Sequence, residues 1–248
     1  MNSARVADFA PTLNGLHFPN AFPNVPLMTI PLPEHGAIPI GDAANGLCGG
    51  MVFAVRDCFE AHRLPPTDVV PPSSGRAFDY LVRRLLDSID VPAGPLRYYE
   101  WMSASDDDVG GRPGVATRTR AEVSKVRAAI DGGSLCAIGL IRTHSQDPRD
   151  LGKNHQVLVF GYDLDEATDR LTLHLADPNH PDADTTLSVS LAQGALDLQY
   201  STGEPTRGLF VTPYNRADPA PLFGIASAPF GWIGRVARIV TRVFGRRV

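Results

Sequence analysis

The chain has 248 residues, 43% of them hydrophobic, and carries a formal net charge of −4. This length and composition allow a sizeable core, so one globular domain with additional segments is expected. The small negative charge excludes bulk electrostatic recruitment of nucleic acid. The three cysteines, Cys48, Cys58 and Cys136, form no CxxC pair, so neither a disulfide framework nor a zinc knuckle is predicted.

The sequence carries no targeting or membrane signal that we recognise. Residues 1–14 contain no apolar segment after the first arginine, Arg5, so a secretory signal is not expected. No run reaches the roughly 18 consecutive apolar residues of a membrane-spanning helix. We therefore predict a soluble, cytoplasmic protein with reduced thiols.

The N-terminal region, residues 10–47, is rich in proline, asparagine and glycine and shows no helical period. It is predicted to be extended or looped, with one short strand near Leu27–Ile30. Residues 1–40 are accordingly predicted to be a covering segment of a domain that spans residues 1–217.

The next region has the apolar period of helices. Helices are predicted over Met51–Arg63, Arg76–Ile89 and about Arg120–Ile130. Thr119 followed three residues later by Glu122 matches a capping box at the start of the third helix. The aromatic segment Leu96–Met102 is compatible with either a strand or a helix.

Further along the chain, the hydrophobic pattern changes to the alternation that is typical of strands. Strands are predicted over Ser134–Arg142, His155–Leu164, Arg170–Asp177, Thr185–Leu191 and Thr206–Pro213. Helices first and an antiparallel sheet last indicate an α+β fold.

The C-terminal residues differ in composition from the rest. Residues 218–230 are a Pro/Ala/Gly-rich linker, and residues 231–248 are predicted to form a basic amphipathic helix with arginines on one side and apolar residues on the other. Such a helix fits an anionic membrane surface, a partner protein or docking on the domain itself. The sequence leaves these three alternatives open.

Three residues carry most of the chemistry in this sequence. Cys48 lies directly before the first predicted helix, whose unpaired N–H groups and positive dipole end favour a thiolate. His155 opens an apolar strand, and Asp177 closes the next one. Two adjacent strands that each end in a polar residue on the inner face could bring imidazole and carboxylate together. A nucleophile, a base and an orienting acid together match the logic of a catalytic triad.

The order of these motifs resembles the papain-like superfamily, most nearly its compact bacterial C39-like branch. The resemblance covers roughly residues 41–181. It implies a papain-like α+β fold, with the nucleophile on a central helix packed on a C-terminal antiparallel sheet. It also implies a hydrolase acting on an amide bond of a peptide or protein, without a cofactor. In that reading, Cys48 attacks the carbonyl carbon, His155 transfers the proton and Asp177 orients His155.

The chain departs from this family at one position. The family usually places a glutamine six residues before the cysteine, where this chain has Asp42. A carboxylate there would repel the developing oxyanion. Asn45 and the backbone N–H of Cys48 are the substitute donors that the sequence offers. A divergent acyl-transfer enzyme and an inactive module that binds a peptide or protein therefore stay as alternatives.

Five further positions are candidates for the wall of a substrate cleft, although an aromatic residue such as Trp101 more often packs in a core. They are Gly49, Gly50, Asn154, Asn179 and Trp101.

A metal site is an alternative use of the histidines and acids around Asp177. Its ligands would be His174, Asp177 and His180, with Asp182 and Asp184 nearby. Strand alternation points His174 away from Asp177, which argues against a shared coordination shell, so no metal is predicted.

Overall fold

The computed structural model describes residues 2–22, 28–32, 36–40, 46–90, 93–192, 194 and 196–226. Within these ranges helices are combined with an antiparallel sheet, most of whose strands follow the helices in the chain, which confirms the predicted α+β class. The predicted helix of residues 231–248 lies outside the described residues and stays a prediction. Among the residues that the structure describes, no helix has the length and hydrophobicity needed to cross a bilayer.

The helices of the described part fall mostly between residues 48 and 131. They are α1 (Pro11–Asn14), α2 (Cys48–Glu60), α3 (Gly75–Ser88), α4 (Ala93–Ser103) and α5 (Val115–Asp131), with two 3-10 helices at Pro148–Lys153 and Ala220–Phe223. The ambiguous aromatic segment is thus helical, as part of α4.

The strands form one large sheet and one separate hairpin. They are β1 (Asn2–Arg5), β2 (Met28–Leu32), β3 (Gly36–Ile40), β4 (Cys136–Ile141), β5 (His155–Asp165), β6 (Arg170–Ala176), β7 (Asp184–Ser190), β8 (Leu198–Tyr200) and β9 (Gly208–Val211). The large sheet has the order β8-β7-β6-β5-β4-β9, and β2 pairs with β3 alone.

β5 is the central strand of the large sheet. It pairs with β6 along one edge, and with β4 and then β1 along the other. The five predicted strands correspond to β4, β5, β6, β7 and β9. The short strand predicted near Leu27–Ile30 corresponds to β2. The prediction missed β1, β3, β8 and α1, which are all short.

Helix α2 begins at Cys48 rather than at the predicted Met51, because the two glycines that follow Cys48 are packed inside the fold. A Cβ atom added at Gly50 would lie 2.1 Å from the carbonyl oxygen of Leu81 in α3. One added at Gly49 would lie 2.1 Å from Ser88 Oγ and 2.8 Å from Gln156 Nε2 in β5. Glycine lowers helix propensity, but here it allows the first turn of α2 to approach its neighbours closely.

The predicted capping box at Thr119 is wrong, because α5 begins at Val115 and Thr119 lies inside it. The Thr119 hydroxyl accepts a hydrogen bond from the backbone N–H of Leu209 at 3.3 Å. The Glu122 carboxylate accepts one from Val211 at 2.9 Å. Both side chains therefore accept hydrogen bonds from backbone N–H groups of β9, an edge strand of the sheet, instead of capping the helix.

A buried ion pair joins α2 and α3 to the chain beyond β9. Arg84 Nε lies 2.7 Å from Asp57 Oδ2, and both side chains are almost fully buried. Asp57 also accepts hydrogen bonds from the hydroxyls of Tyr80 and Tyr214 and from the backbone N–H of Ala217. A buried carboxylate needs such compensation, because leaving it unpaired costs several kcal/mol.

Replacing Gly50 with alanine tests the close packing of α2. The new methyl group meets a backbone oxygen that cannot rotate away, so the free energy of unfolding should fall by about 3 kcal/mol, the upper part of the range for overpacking. Chemical denaturation followed by circular dichroism measures the change.

Gly132→Ala is the matched control for this prediction, because a Cβ there lies 3.3 Å from its nearest neighbour, at an exposed helix end. It should change stability by no more than about 0.5 kcal/mol. Equal losses in the two variants would contradict the packing argument.

Candidate active site

Cys48 is the first residue of α2, and its thiol lies at the positive end of the helix dipole. Leu47 is the N-cap residue and has no side-chain acceptor, so the helix N-terminus is open toward the site. Cys48 is only 8% exposed. The backbone N–H groups of Gly49 and Gln156 form hydrogen bonds with the sulfur.

His155 is the first residue of β5 and contacts both of the other predicted catalytic residues. Its Nε2 lies 2.6 Å from Asp177 Oδ1, and its side chain forms a hydrogen bond with Cys48. Because Nε2 is hydrogen-bonded to Asp177, Nδ1 is the ring nitrogen left to interact with the Cys48 thiol. His155 is 3% exposed, so these contacts are screened from water.

Asp177 directly follows β6, where the pairing of Ala176 with Leu158 brings it to the start of β5. Its Oδ1 accepts a second hydrogen bond from the backbone N–H of Asn179 at 2.8 Å. Its Oδ2 accepts one from the hydroxyl of Tyr200 in β8. Both carboxylate oxygens are therefore fixed, and the structure brings together all three residues that the sequence singled out.

The electrostatics of this cluster favour a thiolate and an imidazolium. Burial alone would raise the pKa of Cys48, but the charge of His155 and hydrogen bonds from His155, Gln156 and Gly49 outweigh it and lower this pKa. Burial would likewise lower the pKa of His155, whereas Cys48 and Asp177 raise it to about 9. The pKa of Asp177 is lowered despite its burial, chiefly by the hydrogen bond and charge of His155.

The other two thiols lie in the opposite environment. Burial and the nearby charge of Asp57 raise the pKa of Cys58 to about 12. Burial raises the pKa of Cys136 to about 11. All three cysteines are free, so Cys48 differs from the other two in its electrostatic surroundings rather than in its oxidation state.

Three of the residues predicted to line a cleft pack inside the protein instead. Gly49 and Gly50 face β5 and α3, as described above. Trp101 is buried in a separate apolar cluster, with its ring centroid 5.4 Å from that of Phe210. Each of these three residues therefore fills close-packed space between elements.

The other two residues of that group, Asn154 and Asn179, form hydrogen bonds that hold loops near the site. Asn154 accepts a hydrogen bond from the backbone N–H of Arg142 and donates one to the carbonyl of Leu151, which fixes the chain just before His155. Asn179 lies in the turn after Asp177, where its side chain accepts a hydrogen bond from Asn20 Nδ2 at 3.1 Å.

A small surface cleft with a volume of about 30 Å³ lies next to Asp177. Its walls come from α1, α2 and the turn between β6 and β7, and they include Leu16, Met51, Val55, Asp177 and His180. Cys48 and His155 are not among the described residues that line it. The cleft is mostly apolar, and of Cys48, His155 and Asp177 it borders Asp177 alone.

The predicted oxyanion residues, Asp42 and Asn45, lie outside the described residues. The described chain resumes at Gly46, whose φ of +75° is a conformation that favours glycine. A Cβ there would lie 2.1 Å from Asn20 Nδ2. The sequence patterns did not indicate Asn20, Gln156 or Tyr200. Asn20 and Tyr200 reach the site from distant segments, whereas Gln156 follows His155 and contacts the Cys48 sulfur through its backbone.

The alternative metal set is divided between two places. His174 lies 2.8 Å from Asp163, 3.0 Å from Asp184 and 2.7 Å from Arg5, away from Asp177 as the alternation predicts. Asp177, His180 and Glu204 do approach one another within 4.8 Å.

This second group does not suit a cation well. Arg142 already binds the Glu204 carboxylate at 2.8 Å, and both oxygens of Asp177 accept the hydrogen bonds described above. A cation would compete with the positive guanidinium group and with these donors.

The site joins distant parts of the chain, because Cys48 lies 107 positions before His155 and 129 positions before Asp177. Comparison with protein-family models, with curated protein sequences and with solved structures finds no match for this chain.

Proposed function

We propose that this protein is a papain-like cysteine hydrolase that acts on an amide bond of a peptide or protein. The observation that carries the proposal is the contact of one imidazole, His155, with both the Cys48 thiol and the Asp177 carboxylate. The class of substrate comes from the resemblance described for the sequence. Cleavage by a related acyl transfer, with an acceptor other than water, uses the same three residues.

In the first half of the proposed reaction, the Cys48 thiolate attacks the carbonyl carbon of the scissile amide. The carbonyl oxygen becomes negative, and in this proposal the backbone N–H of Cys48, at the helix N-terminus, donates a hydrogen bond that stabilises it. The His155 imidazolium then gives its Nδ1 proton to the leaving nitrogen. The C–N bond breaks, an amine departs, and the acyl group stays on sulfur as a thioester.

In the second half, neutral His155 removes a proton from a water molecule as that water attacks the thioester carbonyl. The C–S bond breaks, the acid product leaves, and the proton on His155 restores the ion pair with the Cys48 thiolate. Asp177 keeps the ring in one orientation throughout and stabilises its charged form, as the acid of a triad does.

A module that binds a peptide without cleaving it is the second candidate. The low exposure of Cys48 and His155 favours it, because a substrate carbonyl has to reach the sulfur. Incubation with an activated peptidyl ester and measurement of the intact mass separate the two. The hydrolase gains an acyl group on Cys48 and releases acid, whereas the binding module does neither.

Selective alkylation tests the nucleophile. At pH 7 a free thiol is only a few per cent ionised, so Cys48 should react with iodoacetamide about tenfold faster than glutathione does. Peptide mass mapping identifies the modified residue. Cys58 and Cys136, whose pKa values are raised, are internal controls and should stay unmodified in the folded protein.

His155→Ala should remove most of this advantage, because the imidazolium contributes to lowering the thiol pKa. A Cys48 that reacts no faster than glutathione, or no faster than in His155→Ala, would count against the proposal.

The pH dependence of hydrolysis should be bell-shaped. Activity rises as the pH passes the lowered pKa of Cys48 and the thiolate forms. It falls as the pH passes about 9, where His155 loses the proton that the leaving group needs. Initial rates across pH 5–10 measure both limbs.

Asp177→Asn should move the alkaline limb to lower pH, because the carboxylate that raises the pKa of His155 is gone. Asp197→Asn is a suitable control, since this exposed carboxylate pairs with Arg170 outside the site. An alkaline limb that does not move in Asp177→Asn would show that the acid does not act on His155.

A further inference from the structure

Asn20 links the turn that carries the nucleophile to the turn that carries the acid. Its Oδ1 accepts a hydrogen bond from the backbone N–H of Leu47 at 2.5 Å. Its Nδ2 donates one to Asn179 Oδ1 at 3.1 Å. Its backbone N–H donates a third, to the carbonyl of Pro178 at 3.0 Å. A single residue therefore contacts the segments on both sides of the His155 ring.

On the nucleophile side, Asn20 holds the residues that lead into α2. Leu47 immediately precedes Cys48 and is the N-cap of the helix. The left-handed Gly46 lies against the Asn20 amide, with no room there for a Cβ. This contact sets the direction in which the chain enters the helix, and hence the position of the Cys48 sulfur.

On the acid side, the same amide holds the turn after β6. The backbone N–H of Asn179 donates to Asp177 Oδ1, the oxygen that also contacts His155 Nε2. The N–H of His180 closes the turn on the Asp177 carbonyl. Fixing the Asn179 side chain therefore fixes the carboxylate oxygen that orients the imidazole.

We propose that Asn20 is a positioning residue, whose side-chain amide sets the spacing between Cys48 and Asp177 across His155. This inference rests on the proposed hydrolase function and adds a residue to its machinery. Asn20 does not touch reacting atoms in this proposal; it acts through the two turns. Catalytic groups have to be held within about 0.5 Å of their productive geometry, so a bridge of this kind has a measurable effect on rate.

The N-terminal segment offers a control for a purely structural role. His17 Nδ1 lies 2.6 Å from Asp182 Oδ1, so His17 also attaches this segment to the turn between β6 and β7. Within the described part of the chain, no hydrogen bond joins His17 to the turn at Gly46–Leu47. Loss of His17 should loosen the segment without breaking the bridge to the nucleophile.

The test compares Asn20→Ala, Asn179→Ala and His17→Ala by the iodoacetamide rate of Cys48 between pH 5 and 9, with melting temperatures measured in parallel. Asn20→Ala and Asn179→Ala should each slow alkylation at pH 7 about threefold, less than His155→Ala does, and both should shift the acidic limb of the pH profile to higher pH, because the imidazolium is less well placed beside the thiol. The double variant should be no slower than Asn20→Ala, since both substitutions break one bridge.

His17→Ala should keep the wild-type alkylation rate and profile even if it melts at a lower temperature. The inference would be overturned if Asn20→Ala and Asn179→Ala kept the wild-type alkylation rate and pH profile. It would also be overturned if His17→Ala lost as much alkylation rate as they do. If Asn20→Ala does not fold, Asn179→Ala decides alone, because it keeps the backbone bond to Asp177 and the contact between Asn20 and Leu47.

These outcomes are distinct from failure of the proposed function. A wild-type Cys48 that reacts no faster than glutathione removes the hydrolase and the inference together. A reactive wild-type Cys48 with equally reactive variants removes only the role of Asn20.

Discussion

The close approach of α2 to its neighbours, which Gly49 and Gly50 permit, is the constraint on which the site depends. The first turn of α2 packs directly against α3 and β5. There the backbone N–H of Gln156 contacts the Cys48 sulfur. His155 precedes Gln156, so the same contact places the imidazole beside the thiol. A larger residue at either glycine would separate Cys48 from the strand that carries His155.

Burial makes the charges in this site mutually dependent. An isolated thiolate, imidazolium or carboxylate would be costly at such low exposure, and each pKa would shift toward its neutral form. Instead, His155 stabilises the charges on both sides of it, and Asp177 gains two further donors, from Asn179 and Tyr200. The arrangement favours the charged state only while all three side chains keep their contacts.

The sequence was informative where one local pattern decides the structure. Alternating apolar residues located five strands of the large sheet, and the polar residues that end two of them, His155 and Asp177, do meet. The start of α2 was misplaced because glycine weakens a helical pattern, although packing against Leu81 and Ser88 overrides that preference here. The α+β class followed from the order of these patterns.

Contacts between distant segments could not be predicted in this way. Thr119 and Glu122 have the spacing of a capping box, but they bond to amides of β9, which is about 90 residues away. Tyr200 and Asn20 reach the acid and the nucleophile turn from segments that carry no recognisable motif. Trp101 was expected to pack in a core more often than to line a cleft, but its sequence neighbours do not reveal that Phe210 is its partner.

The buried Asp57 has a consequence for the order in which the chain folds. Its donors Tyr214 and Ala217 lie 157 and 160 residues further along, so the final partners of this carboxylate leave the ribosome long after α2 does. Closing so long a loop is entropically expensive, and contacts of this kind form late in folding. The same helix carries Cys48, so the helix that begins at this thiol gains the last partners of its buried acid only after residue 217 has been synthesised.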